Sequence, residues 1–234
     1  SGYQDLQRER MPCGWDGAFS EFFTDKSGVS CLLTSAAEFC LKLQVETEDI
    51  GFAMAILVTG GAGYIGSHMV LALTDAGEQT VVLDNLTTGF AWAVSPKATL
   101  VKGDIGDEEL VMSLVKSHGI DAIVHFAGSI VVPDSVSDPL GYYLNNTVKS
   151  RALMHAAVKS GVKNFIFSST AAVYGNPKSL PVFETDEPAP ISPYGTSKLM
   201  TELMLRDSHA AYGLNFVALR YFNVAGSDPK GRCC

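Results

Sequence analysis

The stretch AILVTGGAGYIGSH, residues 55–68, decides how the rest of the chain is read. An apolar run suited to a buried strand leads into Gly60, Gly63 and Gly66, and then into a helical pattern. Glycine at such positions allows a tight turn, close approach of backbone to a phosphate group, and tight packing of helix on strand. The amides that open the helix, aided by its dipole, then face an anion. Glycine turns also arise for packing alone, so the stretch needs a second feature to fix its meaning.

That feature follows in VVLDN, residues 81–85. Asp84 ends the second apolar run about twenty residues beyond the turn, where an acid accepts hydrogen bonds from ribose hydroxyls. The same carboxylate would repel a 2′-phosphate, which favours NAD over NADP. Together the turn and the acid predict a dinucleotide site. In KGDIGD, after the third strand, Asp104 and Ile105 are placed to flank the adenine, one by hydrogen bond and one by packing. Asp107 is a helix N-cap in the same segment.

Working outward, the chain of 234 residues is long enough to bury one sizeable core, and 47% of it is apolar against 18% charged. A net charge of −8 argues against a nucleic-acid surface and against an anionic membrane patch. The first thirty residues lack the basic start and apolar run of a secretory signal. Residues 50–74 carry no Asp, Glu, Lys or Arg, but the glycines interrupt them, and strand–turn–helix explains them better than a membrane span. The cysteines (Cys13, Cys31, Cys40, Cys233, Cys234) match no zinc spacing, so no metal site is expected and the chain reads as cytoplasmic with reduced thiols.

Composition divides the chain near residue 53, and all five histidines fall after it. Leu32, Ala36, Phe39, Cys40 and Leu43 keep a helical period within residues 1–53, which otherwise hold no motif. From residue 54 onward the pattern alternates regularly. Buried-strand runs at 55–59, 80–83, 99–102, 122–126, 164–168 and 215–219 are separated by helical stretches at about 64–77, 107–118, 138–160 and 193–212. Such alternation predicts an α/β fold: a doubly wound, Rossmann-like parallel sheet with the ligand at the carboxyl ends of its strands.

The reacting groups are sought at those ends. ISPYGTSKLMTE, residues 191–202, holds Tyr194 and Lys198 four apart, with Ser192 as N-cap and Pro193 in the first turn. A phenol with pKa near 10 is poorly poised as a base. A lysine ammonium at about 4 Å and an effective dielectric of about 20 would favour the phenolate by roughly 4 kcal/mol, or about three pKa units. An oxidised nicotinamide would push the same way. FIFSSTAAVYG brings Ser168, Ser169 and Thr170 to the end of a buried strand, where a hydroxyl either bonds a substrate oxygen or satisfies loop backbone.

These motifs together resemble a known family. TGGAGYIGSH, VVLDNL, GDIGD, HFAG, NNTVKS, FIFSSTAAVYG, SPYGTSKLMTE and LRYFNVAG follow in the order and spacing seen in UDP-glucose 4-epimerases, members of the extended short-chain dehydrogenase/reductase family. The likeness runs from about residue 54 to residue 232. It implies that Tyr194 is the catalytic base, Lys198 its activator and a ribose ligand, and Thr170 the hydroxyl that bonds the sugar's 4-oxygen. By the same resemblance Gly60, Gly63, Tyr64, Ile65 and Gly66 form the pyrophosphate turn, Asp84 and Asn85 meet the adenosine ribose, and Asp104 and Ile105 meet the adenine. Phe126, Ala127, Gly128, Asn145 and Phe222 match the remaining cofactor contacts, and Asn223 a substrate contact.

The implied reaction is interconversion of UDP-glucose and UDP-galactose through a 4-keto sugar, with NAD as cofactor and a homodimer as the assembly. Two departures stand out: Ile130 occupies a position where many relatives carry lysine, and family members continue for another hundred or more residues. Most of a carboxyl-terminal substrate domain is therefore expected to be absent. For residues 1–53 two accounts stay open, upstream sequence translated in frame or a genuine extension; residues 233–234 are set apart as terminal. Related nucleotide-sugar dehydratases carry an acidic pair after the hydroxyl residue, where this chain has Ala171 and Ala172. The alternatives to epimerisation by this chain are a related nucleotide-sugar enzyme, or an NAD-binding fragment without turnover.

Overall fold

The computed structural model describes residues 55–232. The helix expected near residues 32–43, the cysteines, and the character of residues 1–53 and 233–234 lie outside them. The elements run β1 (Ala55–Thr59), α1 (Tyr64–Asp75), β2 (Gln79–Asp84), β3 (Thr99–Lys102), α2 (Glu108–His118) and β4 (Ile120–His125). They continue with α3 (Val132–Ser137), α4 (Pro139–Tyr142), a π-helical segment (Tyr143–Val148), α5 (Lys149–Lys159), β5 (Asn164–Ser168), α6 (Pro193–Tyr212) and β6 (Asn215–Leu219).

The six strands form one parallel sheet in the order β3-β2-β1-β4-β5-β6, so strand order reverses between β1 and β4. Ligand crevices in open α/β sheets open at such a switch point, at the carboxyl ends of the strands. Strand periodicity sorts the side chains into two layers. Leu57, Val81, Leu83, Ile123, Phe165 and Phe167 face one layer, under Val111, Leu114 and Val115 of α2, Leu153 and Ala157 of α5, and Leu205 of α6. Ile56, Val58, Val82, Val124 and Ile166 face the other, under Met69, Val70 and Leu73 of α1.

Local chemistry accounts for the helix ends near the site. Asp107 caps α2 by accepting from the Leu110 amide at 3.0 Å, and Ser192 caps α6 by accepting from the Gly195 amide at 3.2 Å. Pro193 stands at the first helical position, where its missing N–H costs nothing. Gly119 and Gly213 close α2 and α6 in the left-handed conformation.

Two expectations change. The helical stretch expected over 138–160 is present without a break over 139–159, and what was not expected is the π-helical turn inside it that holds Asn145 and Asn146. Helix α3 was not expected: it is only six residues long, too short to show a period, and begins at Val132–Pro133. Strand limits shift by one or two residues, with Asp84 inside β2 and Phe126 just beyond β4.

Candidate active site

The glycine turn joins β1 to α1, and its glycines have different reasons to be there. Gly60 has φ +71°, and a Cβ on it would lie 2.6 Å from the Ala127 nitrogen after β4. A Cβ on Gly66 would lie 2.2 Å from the Gly60 carbonyl oxygen. Both are required by the protein's own backbone. Gly63, the N-cap of α1, has an ordinary φ of −82° and would meet nothing closer than the Gly60 oxygen at 3.4 Å. Packing does not demand glycine there, and what a methyl group would fill is the space before the first amides of α1. No side chain caps this helix start and no acid lies in its first turn. A helix start of this kind turns backbone donors and the positive end of the helix dipole toward an anion.

Asp84 is 8% exposed, and its carboxylate braces the turn, accepting from the Ala62 amide at 3.0 Å and the Leu86 amide at 2.8 Å. A carboxylate has about four acceptor positions, so bracing leaves capacity for a ribose hydroxyl. Asn85 accepts from the Thr87 amide and hydroxyl and also bonds Asp104. Asp104 takes the Gly106 amide at 2.8 Å and Lys149 at 2.6 Å. Burial works to raise the Asp104 pKa, but Lys149 and Gly106 prevail and hold it below the usual carboxylate range. Lys149 has no part in the sequence reading. The Ile105 side chain, expected to pack on adenine, belongs to the core at 7% exposure.

Tyr64 and Ile65 open α1. The Tyr64 phenol donates to the Gly226 carbonyl at 2.5 Å, drawing the segment after β6 across the helix start. A cleft of about 590 Å³ between them is lined by Tyr64, Ile65, His68, Gly226 and Arg232, and Tyr194, Lys198 and Thr170 are not among its walls. The glycine turn and the Tyr194–Lys198 helix are instead joined through the loop after β4. There Phe126 donates its amide to Thr59, and Ala127 abuts Gly60. A Cβ on Gly128 would lie 3.1 Å from Asn146 Oδ1 and 3.5 Å from Lys198 Nζ.

At the end of β5, Thr170 accepts from the Ala172 amide at 3.1 Å, and the same side chain acts to lower the pKa of the Tyr194 phenol. Lys198 is 3% exposed, donates to the Ser168 carbonyl at 3.0 Å and lies 5.0 Å from the centre of the Phe167 ring. Ser168 and Ser169 are engaged elsewhere, with the Tyr221 hydroxyl and the Glu202 carboxylate.

The expected pKa depression of Tyr194 does not hold in the protein alone. Burial pushes the phenol up, the Thr170 hydrogen bond only partly opposes it, and Lys198 is not among the influences on it. The physical reason lies in the lysine, whose ammonium turns to a strand carbonyl and is itself lowered to about 8 by burial.

Asn145, expected at the cofactor, donates to the Ser129 hydroxyl at 2.9 Å, and several residues around it were not foreseen. Its neighbour Asn146, 2% exposed, accepts from the Ser129 amide at 2.7 Å and donates to the Ser197 hydroxyl at 3.2 Å, tying the loop after β4 to α6. His125 is fully buried between Thr59 at 2.7 Å and Ser150 at 2.9 Å. Burial, with a smaller contribution from Lys198, lowers its pKa to about 3 and keeps it neutral. Phe222 is 70% exposed and Asn223 is also exposed, so neither is packed into the site by the described residues.

Comparisons with known proteins agree with this geometry. Residues 56–232 match the NAD dependent epimerase/dehydratase family. A UDP-glucose 4-epimerase of Azospirillum brasilense is 55% identical over 186 residues, covering 80% of this chain and 53% of that protein. The crystal structure of the Brucella ovis UDP-glucose 4-epimerase in complex with NAD is 45% identical with a TM-score of 0.75, covering 76% of this chain and 55% of that one. The Thermotoga maritima enzyme with UDP-glucose is 41% identical with a TM-score of 0.72, over 77% of this chain and 60% of that one. The chain spans about half the length of the curated relatives it matches. A family match over most of the chain, on a parallel sheet whose switch point carries the glycine turn and whose β5 end carries the tyrosine–threonine contact, has one meaning: the chain belongs to the NAD dependent epimerase/dehydratase family.

Proposed function

We propose that this chain carries the NAD-binding and reacting half of an enzyme that inverts C4 of a UDP-hexose, interconverting UDP-glucose and UDP-galactose through a 4-keto sugar. The observation that supports this most directly is the convergence at the end of β5, where Thr170 acts on the Tyr194 phenol and buried Lys198 donates to the Ser168 carbonyl. Gly63 and the first amides of α1 would hold the pyrophosphate, Asp84 and Asn85 the adenosine ribose, and Asp104 with Ile105 the adenine end. Phe126, Ala127, Gly128, Asn145, Lys198 and Phe222 would complete the cofactor's surroundings. NAD, when bound, supplies the hydride acceptor and donor for C4, while the protein supplies orientation and electrostatics. Tyr194 takes the proton of the 4-hydroxyl and returns it to the other epimer, Thr170 holds the 4-oxygen, and Asn223 contacts the sugar. Its phenol is protonated in the protein alone, so its service as a base depends on positive charge arriving with the oxidised cofactor.

A homodimer is part of this reading. Leu140, Leu144 and Val148 are 78%, 55% and 53% exposed at intervals of four along one helical face, and Met200 and Leu203 of α6 are each 40% exposed. An apolar stripe of this kind fits a self-complementary contact between two copies. Cytoplasmic residence is proposed on the same footing; among the described residues no helix is long and apolar enough to cross a membrane.

The test is to mix the purified chain with UDP-galactose and NAD and to measure UDP-glucose. Conversion supports the epimerase; NAD binding with no conversion makes this length of chain a cofactor-binding unit that lacks part of the sugar pocket.

A further inference from the structure

Lys198 and Glu202 are four residues apart on α6, and both are buried, at 3% and 7% exposure. Lysine and glutamate at that spacing ordinarily attract one another. Here the lysine turns away to the Ser168 carbonyl at 3.0 Å. The glutamate is gripped by Arg220, which follows β6. Arg220 Nη2 lies 2.6 Å from Oε2, and its Nε lies 3.1 Å from each carboxylate oxygen. Ser169 donates a further hydrogen bond to Oε1. Arg220 is in turn set against Tyr174, 2.9 Å from its hydroxyl and 5.0 Å from its ring centre.

We propose that Arg220 is a positioning residue for the Tyr194–Lys198 pair: by neutralising Glu202 it keeps the Lys198 ammonium from being captured along its own helix. The ammonium is thereby left at the end of β5, facing Gly128. A guanidinium suits this task better than an ammonium because its planar fork engages both carboxylate oxygens at once and is more weakly hydrated. The register of β5 with β6, Ser168 opposite Leu219, delivers Arg220 beside Ser169 and so couples the grip to the strand end that carries Thr170.

The groups facing Lys198 are few. His125 comes from β4 and is neutral, Ser168 and the Phe167 ring come from β5, and the Asn146 amide stands by Gly128. The Tyr221 phenol bonds Ser168, and Tyr194 and Glu202 lie on the same helix. Among these groups Glu202, one helical turn along α6, is the carboxylate, and with Arg220 holding it burial is what acts on Lys198.

The inference rests on Lys198 being the active-site cation, but its test reads Lys198 alone. In protein labelled with carbon-13 lysine, the Lys198 side-chain resonance, assigned by Lys198→Met, is followed against pH. The native midpoint is expected near 8. Arg220→Met should move it up by about one unit or more, since an unpaired anion then stands beside it. Glu202→Gln should move it down, because an unpaired cation remains. The double variant should return it close to native, and Arg220→Lys should hold it there. An Arg220→Met or Glu202→Gln midpoint that stays at the native value in folded protein, or a shift of both in the same direction, overturns the proposal. If Arg220→Met fails to fold, Glu202→Gln still decides: its midpoint must fall while Arg220→Lys keeps the native value. Failure of the epimerase reading would show separately, as absent sugar conversion by a native chain whose Lys198 midpoints follow the pattern above.

Discussion

Substitution of Gly63 separates a structural glycine from one that makes room for a ligand. In the protein alone an alanine Cβ at this position has an allowed φ of −82° and a nearest neighbour 3.4 Å away. The expected cost to folding is that of a poorer helix N-cap, about 0.5–1 kcal/mol. Under the proposed cofactor site the same methyl group would stand where the pyrophosphate approaches the α1 amides. Losing one or two charge-assisted hydrogen bonds at about 1.5–3 kcal/mol each weakens NAD binding by at least roughly tenfold and at most about 10⁴-fold. Gly66→Ala is the control with opposite behaviour, because its Cβ at 2.2 Å from the Gly60 oxygen forces backbone to move even without ligand. Urea denaturation gives the stability of each variant, and calorimetric titration with NAD gives the affinity. Gly63→Ala that binds NAD as tightly as the parent would refute the cradle. Gly63→Ala that is as unstable as Gly66→Ala would refute the packing argument.

Other consequences are equally open to measurement. Tyr194→Phe removes the hydroxyl that bonds Thr170 and should lower sugar conversion by about 10²-fold or more while NAD affinity stays within a few fold. His125 has its pKa lowered to about 3 by burial, so below pH 6.5 the unfolded chain binds a proton that the folded chain refuses. Stability therefore falls as pH falls, by about 1.4 kcal/mol from this residue between pH 7.5 and 5.5. His125→Gln should lose that part of the slope in denaturant titrations at the two pH values. Leu144→Glu places a charge on the exposed stripe of the π-helical segment and should yield monomers in sedimentation without loss of helix content; an unchanged dimer would exclude that face as the interface.

Most of the sheet was legible because its signals are local. An apolar run ended by glycines reads as strand and turn wherever it occurs, and caps such as Asp107 and Ser192 act within one helical turn of themselves. The site was legible as a set of residue types but not as a set of partners. That Tyr194 and Lys198 share a helix face follows from their spacing. Where the lysine's long side chain ends depends on the Ser168 carbonyl, 30 residues away in sequence. The bracing of the glycine turn by Asp84 was hidden for the same reason, since an acid after β2 reads as a ribose ligand whether or not it also holds Ala62. Asn146 escaped notice because a helical period places it on a helix without naming its partners, and Ser129 and Ser197 are 17 and 51 residues away in sequence. His125 stood in a quoted motif, yet nothing in HFAG says that the ring is enclosed by Thr59 and Ser150.

The charges around Tyr194 suggest why the reacting pair is built as it is. Burial acts on the two groups in opposite directions along the pH scale, raising the phenol and lowering the ammonium to about 8. Each shift disfavours the charged form, so in the protein alone the pair is brought toward neutrality. A phenolate formed in such a place gains from any cation that arrives, because water is too scarce there to screen it. The oxidised nicotinamide is such a cation, and it is present only when the hydride acceptor is present. Under the proposed function, deprotonation of the sugar hydroxyl would thus be tied to occupancy of the cofactor site by the form able to take the hydride. A tyrosine already ionised by its lysine, as the spacing alone suggested, would have no such dependence. The arrangement also assigns a purpose to the Glu202–Arg220 pair: an uncompensated carboxylate four residues from Lys198 would hold the lysine charged and pull it from the strand end, and the coupling would be lost.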